Sequence, residues 1–222
     1  PLFCVCDGMG GHAAGEVASS IAVETIAKTA PQSADAARLA AAVEAANAAV
    51  IEAALNGLGK PGMGCTATCA YIENDTLAIA HVGDSRAYLL HEGTLIRVTR
   101  DHSYVEELVD AGEITADEAR VHPNRSVITR ALGSDPAMYA DHFTLHIEEG
   151  DRLILCSDGL SSMIPDSDIE NIATQSSTAQ ICVDNLVDAA LAAGGHDNVT
   201  VVVVDLVDDG VMREAKRVRR RN

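Results

Sequence analysis

Four aspartates stand where apolar, strand-like runs meet loops, and this feature constrains the fold more than any other. Apolar runs precede Asp7, Asp84 and Asp158, whereas Asp197 precedes the run 199–206. The sheet fixes the backbone of such a residue and leaves its carboxylate free to point into a cleft. Four of them, far apart in sequence, indicate that the fold gathers carboxylates at one rim, which only a cation makes tolerable. Hard oxygen donors favour Mg²⁺ or Mn²⁺.

Size and composition fit one domain with an aliphatic core. The chain has 222 residues, of which 47% are hydrophobic and only 3% aromatic, so Ala, Val, Ile and Leu must fill the core. The net charge of −17 argues against nucleic acid or an anionic membrane as a partner of the main body. We assign residues 1–208 to one domain. Residues 209–222 form a basic tail, either a solvated end or a linker toward a membrane or partner in a longer parent chain.

The cysteine pattern and the hydropathy favour a cytoplasmic protein. No apolar run approaches the ~18–20 residues that a membrane-spanning helix needs, and no signal-peptide pattern opens the chain. The six cysteines lie within apolar stretches and lack the turns that present zinc ligands. We interpret them as buried free thiols in a reducing compartment.

Predicted helices and strands occur in blocks instead of strict alternation. Helices are predicted over 13–30, 34–56, 103–111, 116–120, a segment after Pro165 with Asp166 as its N-cap, and 178–193. Besides the run before Asp7, strands are predicted over 65–73, 76–83, 86–91, 94–99, 138–147, 151–157 and 198–207. Turns at Asn74-Asp75 and Glu92-Gly93 make the block 65–99 an antiparallel meander. This order indicates the α+β class.

Each candidate motif also has a purely structural interpretation. The segment Asp7-Gly8-Met9-Gly10-Gly11 fits a tight turn with a capping acid. Asp84 fits a turn residue that pairs with Arg86 or accepts backbone hydrogen bonds between two strands. The histidines have no regular spacing, and the serines lack the glycine-flanked elbow of a serine hydrolase. From the residues alone, metal binding and turn formation both remain open.

Several motifs in fixed order resemble those of metal-dependent protein phosphatases of the 2C type, most of all the bacterial enzymes that oppose kinases of eukaryotic type. The resemblance extends from residue 1 to about residue 207. The motifs that carry it are Phe3–Gly11 with Gly15-Glu16, Gly62–Thr66, His81–Tyr88, Thr99–Ser103, Ser126–Leu132, Gly150-Asp151, Ser157–Leu160 and Gly194–Thr200.

The resemblance implies a fold, a metal site and an activity. The implied fold is a four-layer sandwich of two antiparallel sheets flanked by helices, with residues 101–134 as a flap beside the cleft. By this likeness Asp7 bridges two Mn²⁺ or Mg²⁺ ions and Gly8 adds its backbone carbonyl as a ligand. Asp158 and Asp197 complete the coordination shell of one of the two ions. The likeness further implies that Asp84, together with Asp158, holds a third and weaker ion, and that Asn198 positions the neighbouring carboxylate. The implied catalytic residues are therefore Asp7, Asp158 and Asp197.

The implied activity is hydrolysis of phosphoserine and phosphothreonine in proteins, with a kinase and its substrates as partners. Family members carry a phosphate-binding arginine on strands before the Asp7 turn, so we expect those strands to precede Pro1. Met9 stands where animal members have a histidine, which leaves the proton donor unassigned, although His12 is nearby. Two rival functions are a phosphatase devoted to one phosphorylated regulator and a non-catalytic regulatory domain of the same fold.

Overall fold

The computed structural model describes residues 1–60 and 62–207, without the side chain of His12. Along these residues the strands are β1 (Leu2–Val5), β2 (Gly8–Met9), β3 (Gly64–Cys65), β4 (Ala67–Glu73), β5 (Thr76–Val82), β6 (Arg86–His91), β7 (Thr94–Arg97), β8 (Asp141–His146), β9 (Arg152–Cys156) and β10 (Val201–Asp205). The helices are α1 (His12–Thr29), α2 (Ala36–Leu55), α3 (Tyr104–Asp110), α4 (Ala116–Val121), α5 (Asp158–Ser161), α6 (Asp166–Gln175) and α7 (Ala179–Ala192). The basic tail predicted for 209–222 lies outside the described residues.

Two four-stranded antiparallel sheets pack face to face and are covered by helices on their outer sides. The first sheet has the order β1-β4-β5-β8 and the second the order β10-β9-β6-β7. One apolar cluster, which includes Leu77, Ile79, Leu153 and Leu155, fills the space between the sheets. A second cluster joins the first sheet to α1 and α2, and a third joins the second sheet to α6 and α7. The predicted α+β sandwich is therefore confirmed.

Small side chains make up much of the contact between α2 and the first sheet. The buried side of α2 is mostly alanine, and it faces Ala78 and Ala80 of β5 across the cluster. Strand β5 is buried along nearly its whole length because helices cover one face and the second sheet covers the other. Because both of its faces are buried, β5 lacks the alternation of buried and exposed residues that an antiparallel strand with one solvent-exposed face would show.

The predicted four-strand meander is wrong, because β5 and β6 belong to different sheets. The turns at Asn74-Asp75 and Glu92-Gly93 do form, and Asn74, Glu92 and Gly93 take positive φ. Between the two hairpins, however, the chain crosses from one sheet to the other. Gly83 makes this crossing with φ 106°, where a Cβ would meet the Thr66 side chain at 2.6 Å.

Helix starts follow side-chain capping in most cases, but the cap predicted for α6 is wrong. Asp35 and Thr178 cap α2 and α7 by accepting backbone N–H bonds. In α6 the cap position is Pro165, and Asp166 is the first helical residue. Its carboxylate instead accepts a 2.9 Å hydrogen bond from the Tyr88 hydroxyl, because a buried tyrosine needs a partner for its polar end.

Several element boundaries differ from the predictions. The predicted strand 65–73 divides into β3 and β4, and the strands predicted over 138–147 and 198–207 are shorter, at 141–146 and 201–205. The short helix α5, which begins at Asp158, was not predicted. Within the described residues, no helix combines the length and apolar character that crossing a membrane requires.

Candidate metal centre

Asp7 is positioned where β1 leaves the first sheet. Its carbonyl accepts from Thr66 N at 2.8 Å, and its own N–H donates to Thr66 Oγ1 at 3.0 Å. The following turn lies directly on α1, since a Cβ on Gly8 would be 2.1 Å from the carbonyl oxygen of Gly15. Glycine at both positions therefore lets the backbone of the Asp7 turn touch the helix.

Asp158 and Asp197 lie on two segments that are hydrogen-bonded to each other. Ser157 donates its N–H to Thr200 O at 3.0 Å, and Thr200 N donates to Ser157 Oγ at 3.0 Å. The Asp197 carboxylate accepts from Asn198 N at 2.7 Å. The contact between Asn198 and the Asp197 carboxylate thus runs through the backbone amide of Asn198.

Asp84 occupies the crossing between β5 and β6 and is only 7% exposed. The alternative in which it pairs with Arg86 is not what the structure shows. Arg86 makes a bidentate pair with Asp101, through Nε to Oδ1 at 3.0 Å and Nη2 to Oδ2 at 2.7 Å. Arg86 therefore does not neutralise the Asp84 carboxylate, which lines the same groove as Asp158 and Asp197.

The aspartates act on one another electrostatically. Burial, followed by the charges of Asp158 and Asp197, raises the pKa of Asp7 to about 7. Burial, followed by the charges of Asp158, Asp101 and Asp7, raises the pKa of Asp84 to about 7. The pKa of Asp158 is also raised, mainly by burial. Protons are held at these carboxyls because several negative charges share one poorly hydrated region.

The donor set fits hard divalent cations whose coordination is completed largely by water. Within 1–60 and 62–207, no group of three or more His, Cys, Asp or Glu side chains is arranged closely enough to enclose an ion by itself. Mg²⁺ retains several waters and needs only one or two protein carboxylates. The aspartates raise one another's pKa but do not enclose a single point. This arrangement matches a site whose ions keep several of their waters.

A polar groove of about 530 Å³ extends from these carboxylates. It runs between α3 and α4 on one side and the starts of α5 and α6 on the other, and Asp84, Asp158 and Asp197 line one part of it. Two arginines from the predicted flap, Arg120 and Arg125, line another part. Lys60, Arg120 and Arg125 are the only Lys and Arg residues of the described part with no carboxylate within 4.0 Å.

A buried ion-pair network beside the groove was not anticipated from the sequence. Arg97 Nη2 lies 2.8 Å from Asp101 and 3.1 Å from Glu106, so Arg97 joins β7 of the second sheet to the first flap helix, α3. Arg86 and Asp101 do fall within the motifs noted above, but their pairing depends on contacts across 15 residues.

His102 fixes the base of the flap. Its backbone N–H donates to Gly83 O at 2.7 Å, and its Nδ1 accepts from Gly83 N at 3.0 Å. Because Nδ1 accepts, the ring proton is on Nε2, which donates to Asp141 at 3.0 Å. Burial lowers the pKa of His102, which keeps this neutral form.

The structure thus has two facing sheets flanked by helices, with Asp84, Asp158 and Asp197 at one groove and Asp7 beside Asp158. The family described as Protein phosphatase 2C matches residues 1–199. The chain therefore belongs to the protein phosphatase 2C family, and the predicted family is confirmed.

The similarity is to bacterial members. Serine/threonine protein phosphatase PstP of Mycobacterium tuberculosis is 43% identical over 213 residues, which cover 93% of this chain and 40% of that protein. The chain thus spans less than half of that relative's length. Serine/threonine phosphatase stp of Listeria welshimeri is 37% identical, covering 92% of this chain and 84% of that protein. A crystal structure of the PstP catalytic domain in complex with two manganese ions matches with a TM-score of 0.85 and 40% identity, covering 93% and 88% of the two chains.

Proposed function

We propose that this domain removes phosphate from phosphoserine and phosphothreonine in proteins, opposing Ser/Thr kinases in a bacterial cytoplasm. The observation that carries the proposal is the group of carboxylates at the end of the groove, where the pKa values of Asp7 and Asp84 are both raised to about 7. Divalent cations would offset this repulsion. The PstP structure with two manganese ions supports the same kind of site.

The proposed ligand roles are those that the family resemblance implies. Asp7 would hold both tightly bound Mn²⁺ or Mg²⁺ ions, Gly8 would offer its backbone carbonyl, and Asp158 and Asp197 would complete the coordination shell of one ion. Asp84, with Asp158, would hold a third ion more weakly. The N–H of Asn198 holds the Asp197 carboxylate by the 2.7 Å contact, which limits its rotation.

When bound, two such cations supply an acidified water as the nucleophile and neutralise the phosphoryl oxygens. The chain itself then needs to hold the cations, orient the phosphorylated residue and exclude bulk water. No side chain has to form a covalent intermediate. Asp7 is suited to its part because its backbone is fixed on both sides by Thr66. The proton donor to the departing hydroxyl is not assigned, since Met9 follows Gly8 and the side chain of His12 lies outside the described part.

The groove is proposed to hold the peptide on either side of the phosphorylated residue. Part of its charge is compensated internally, since Arg86 and Arg97 pair with Asp101 and Glu106. Arg120 differs from these two arginines, because no carboxylate of the described part lies within 4.0 Å of it; its Nη2 donates to Met163 O at 3.5 Å, and its buried Nε has no hydrogen-bond partner there. An acidic group of the substrate would satisfy that donor and the charge of Arg125. We therefore propose a preference for acidic residues near the phosphorylation site.

Hydrolysis of p-nitrophenyl phosphate and of a phosphothreonine peptide, with Mn²⁺ and with EDTA, tests the proposal. We expect turnover of both substrates that depends on Mn²⁺. Asp7→Asn, Asp158→Asn and Asp197→Asn should each lose Mn²⁺ binding in calorimetric titration together with activity. Asp188→Asn, on the exposed side of α7, removes the same charge elsewhere and should change neither.

Two outcomes would support one of the rival functions instead. A folded protein that binds Mn²⁺ but turns over neither substrate would support the non-catalytic regulatory domain. Turnover of one phosphoprotein out of a panel, with slow reaction of peptides, would support a phosphatase dedicated to one regulator.

A further inference from the structure

Four of the six cysteines lie together in the apolar cluster between the first sheet and helices α1 and α2, at a place where the proposed phosphatase chemistry does not use them. This thiol cluster consists of Cys4, Cys6, Cys65 and Cys69, which belong to or pack against the apolar cluster under α1. Cys4 Sγ lies 3.1 Å from Cys69 Sγ and 3.5 Å from Cys6 Sγ. All of them are free thiols.

The register of the sheet places Cys4 directly opposite Cys69 on neighbouring strands. Ile72 N donates to Pro1 O and Thr66 N donates to Asp7 O, so hydrogen-bonded pairs fall on the odd-numbered residues of this strand. Cys4 and Cys69 therefore form a non-hydrogen-bonded pair, for which Cα atoms lie about 4.5 Å apart. Disulfides span Cα separations of about 4.4–6.8 Å, so these two cysteines are in range without backbone movement.

The competing partner for Cys4 has less favourable geometry. Cys6 is two residues further along the chain, one position past the end of β1, where extended backbone with rises of about 3.3 Å places its Cα about 6.6 Å away. Both separations fall within the range for a disulfide, near its opposite ends. The pairing with Cys69 is favoured because its Sγ lies 3.1 Å from Cys4 Sγ, against 3.5 Å for Cys6 Sγ.

We propose that Cys4 and Cys69 are an oxidation site at which a peroxide forms a reversible cross-strand disulfide. The Cys4 sulfur attacks hydrogen peroxide, the O–O bond breaks, and Cys4 sulfenic acid and water result. The Cys69 sulfur then displaces the hydroxyl from Cys4, which leaves as the second water while the S–S bond forms. Two thiols lose two electrons and two protons, and one peroxide is reduced to two waters.

The position of each thiol suits this order of events. Cys4 is partly exposed, so it is the thiol of the pair that a small oxidant meets first. Cys69 is fully buried and can react only with a partner already inside the fold. The bond would tie the strand that leads into Asp7 to a residue 65 positions further along the chain.

Peptide mapping by mass spectrometry after treatment of the 222-residue chain with hydrogen peroxide tests the proposal. We expect a cross-linked peptide that contains Cys4 and Cys69, is lost on treatment with dithiothreitol, and accompanies a rise in Tm of several degrees. Cys4→Ala and Cys69→Ala should each remove the cross-link and the rise in Tm. The matched variant Cys6→Ala should retain both.

Differential alkylation of the unmodified sequence keeps the test independent of how the variants fold. Protection of Cys4 and Cys69 together, reversed by dithiothreitol, is the expected result. A Cys4–Cys6 disulfide, a sulfinic acid on Cys4 without a cross-link, or six thiols that all stay titratable after peroxide would each overturn the proposal. These readouts do not depend on phosphatase activity, so they remain decisive if the proposed function fails.

Discussion

Gly159 lies against the backbone of Asn198 so closely that a Cβ at position 159 would be 2.1 Å from the Asn198 carbonyl oxygen. This contact joins the residue after Asp158 to the residue after Asp197, two carboxylates that are 39 positions apart in the sequence. The Ser157–Thr200 hydrogen bonds support the same junction. The distance between the two carboxylates therefore depends on the absence of a side chain at position 159.

Gly159→Ala should separate the two segments and weaken metal binding. Overpacking against backbone atoms costs about 1–3 kcal/mol, and because the segments move apart, Mn²⁺ affinity should fall along with Tm. Gly59→Ala is the matched control, since its Cβ would meet only the flexible end of Met63. Calorimetric Mn²⁺ titration and thermal unfolding of both variants provide the measurement. Unchanged Mn²⁺ affinity in Gly159→Ala would contradict the role given to this contact.

Asp84→Asn should separate the weak site from the two tight ones. We expect Mn²⁺ titration to retain two tight sites, while kcat falls and the Mn²⁺ concentration needed for full activity rises. A turn residue with no metal role would behave differently, with a lower Tm and unaltered metal dependence. Measuring kcat against Mn²⁺ concentration beside thermal unfolding of the same variant distinguishes these outcomes.

The stability of the metal-free protein should depend on pH through Asp84. Its pKa is about 7 in the fold and about 4 in the unfolded chain, so the unfolded state loses the proton first as pH rises. The free energy of unfolding should therefore decline from about pH 4 to pH 7 because of this group. The stability gained by Asp84→Asn in EDTA should grow over that range and level off above it. Chemical denaturation of both proteins at several pH values measures the difference, and a gain that does not change with pH would contradict the assignment.

His81 should make the protein sensitive to acid. Burial, followed by the repulsion that a protonated His102 would add, lowers the pKa of His81 to about 4. The fold therefore holds the imidazole neutral, while the unfolded chain takes up a proton below about pH 6.5. Its contribution to stability is thus lost as pH falls from about 6.5 to 4. His81→Gln should show a smaller loss of Tm over this range than the unmodified sequence. The matched variant His146→Gln, at an exposed position of β8, should show the full loss.

Arg120→Ala should affect peptide substrates selectively. Loss of one hydrogen bond to a charged group costs about 1.5–3 kcal/mol, so KM for a phosphothreonine peptide with neighbouring glutamates should rise roughly ten- to a hundredfold. KM for p-nitrophenyl phosphate should stay nearly constant, because this small substrate does not extend along the groove. Lys60→Ala removes another cation without a carboxylate partner, outside the groove lining, and serves as the control. Equal changes on both substrates would count against a role in peptide recognition.

Much of the fold and of the candidate site could be predicted because its signals are local. The helical periodicity of α1 and α2 and the turn residues Asn74 and Gly93 gave the correct elements within a few positions. The aspartates could be singled out because each stands at a junction of strand and loop. The ordered motifs then gave the family, which the comparisons confirmed.

Contacts between distant segments could not be predicted in the same way. The hydroxyl of Tyr88 reaches Asp166 across 78 residues, and that contact, not a helix cap, determines what the aspartate does. The crossing at Gly83 places β5 and β6 in different sheets although only three residues separate them. No local pattern distinguishes such a crossing from a hairpin turn, because both need a flexible residue between two apolar runs.

The sequence by itself determined which segments are helical or extended and which acids stand at their ends, since backbone preferences and side-chain periodicity act over a few residues. Only the tertiary structure decided which strands pair, which charges compensate one another and which thiols meet. Those outcomes depend on how apolar faces pack across the whole chain. Asp7, Asp84, Asp158 and Asp197 were visible one at a time in the sequence, but their shared electrostatic field exists only after the two sheets have packed together.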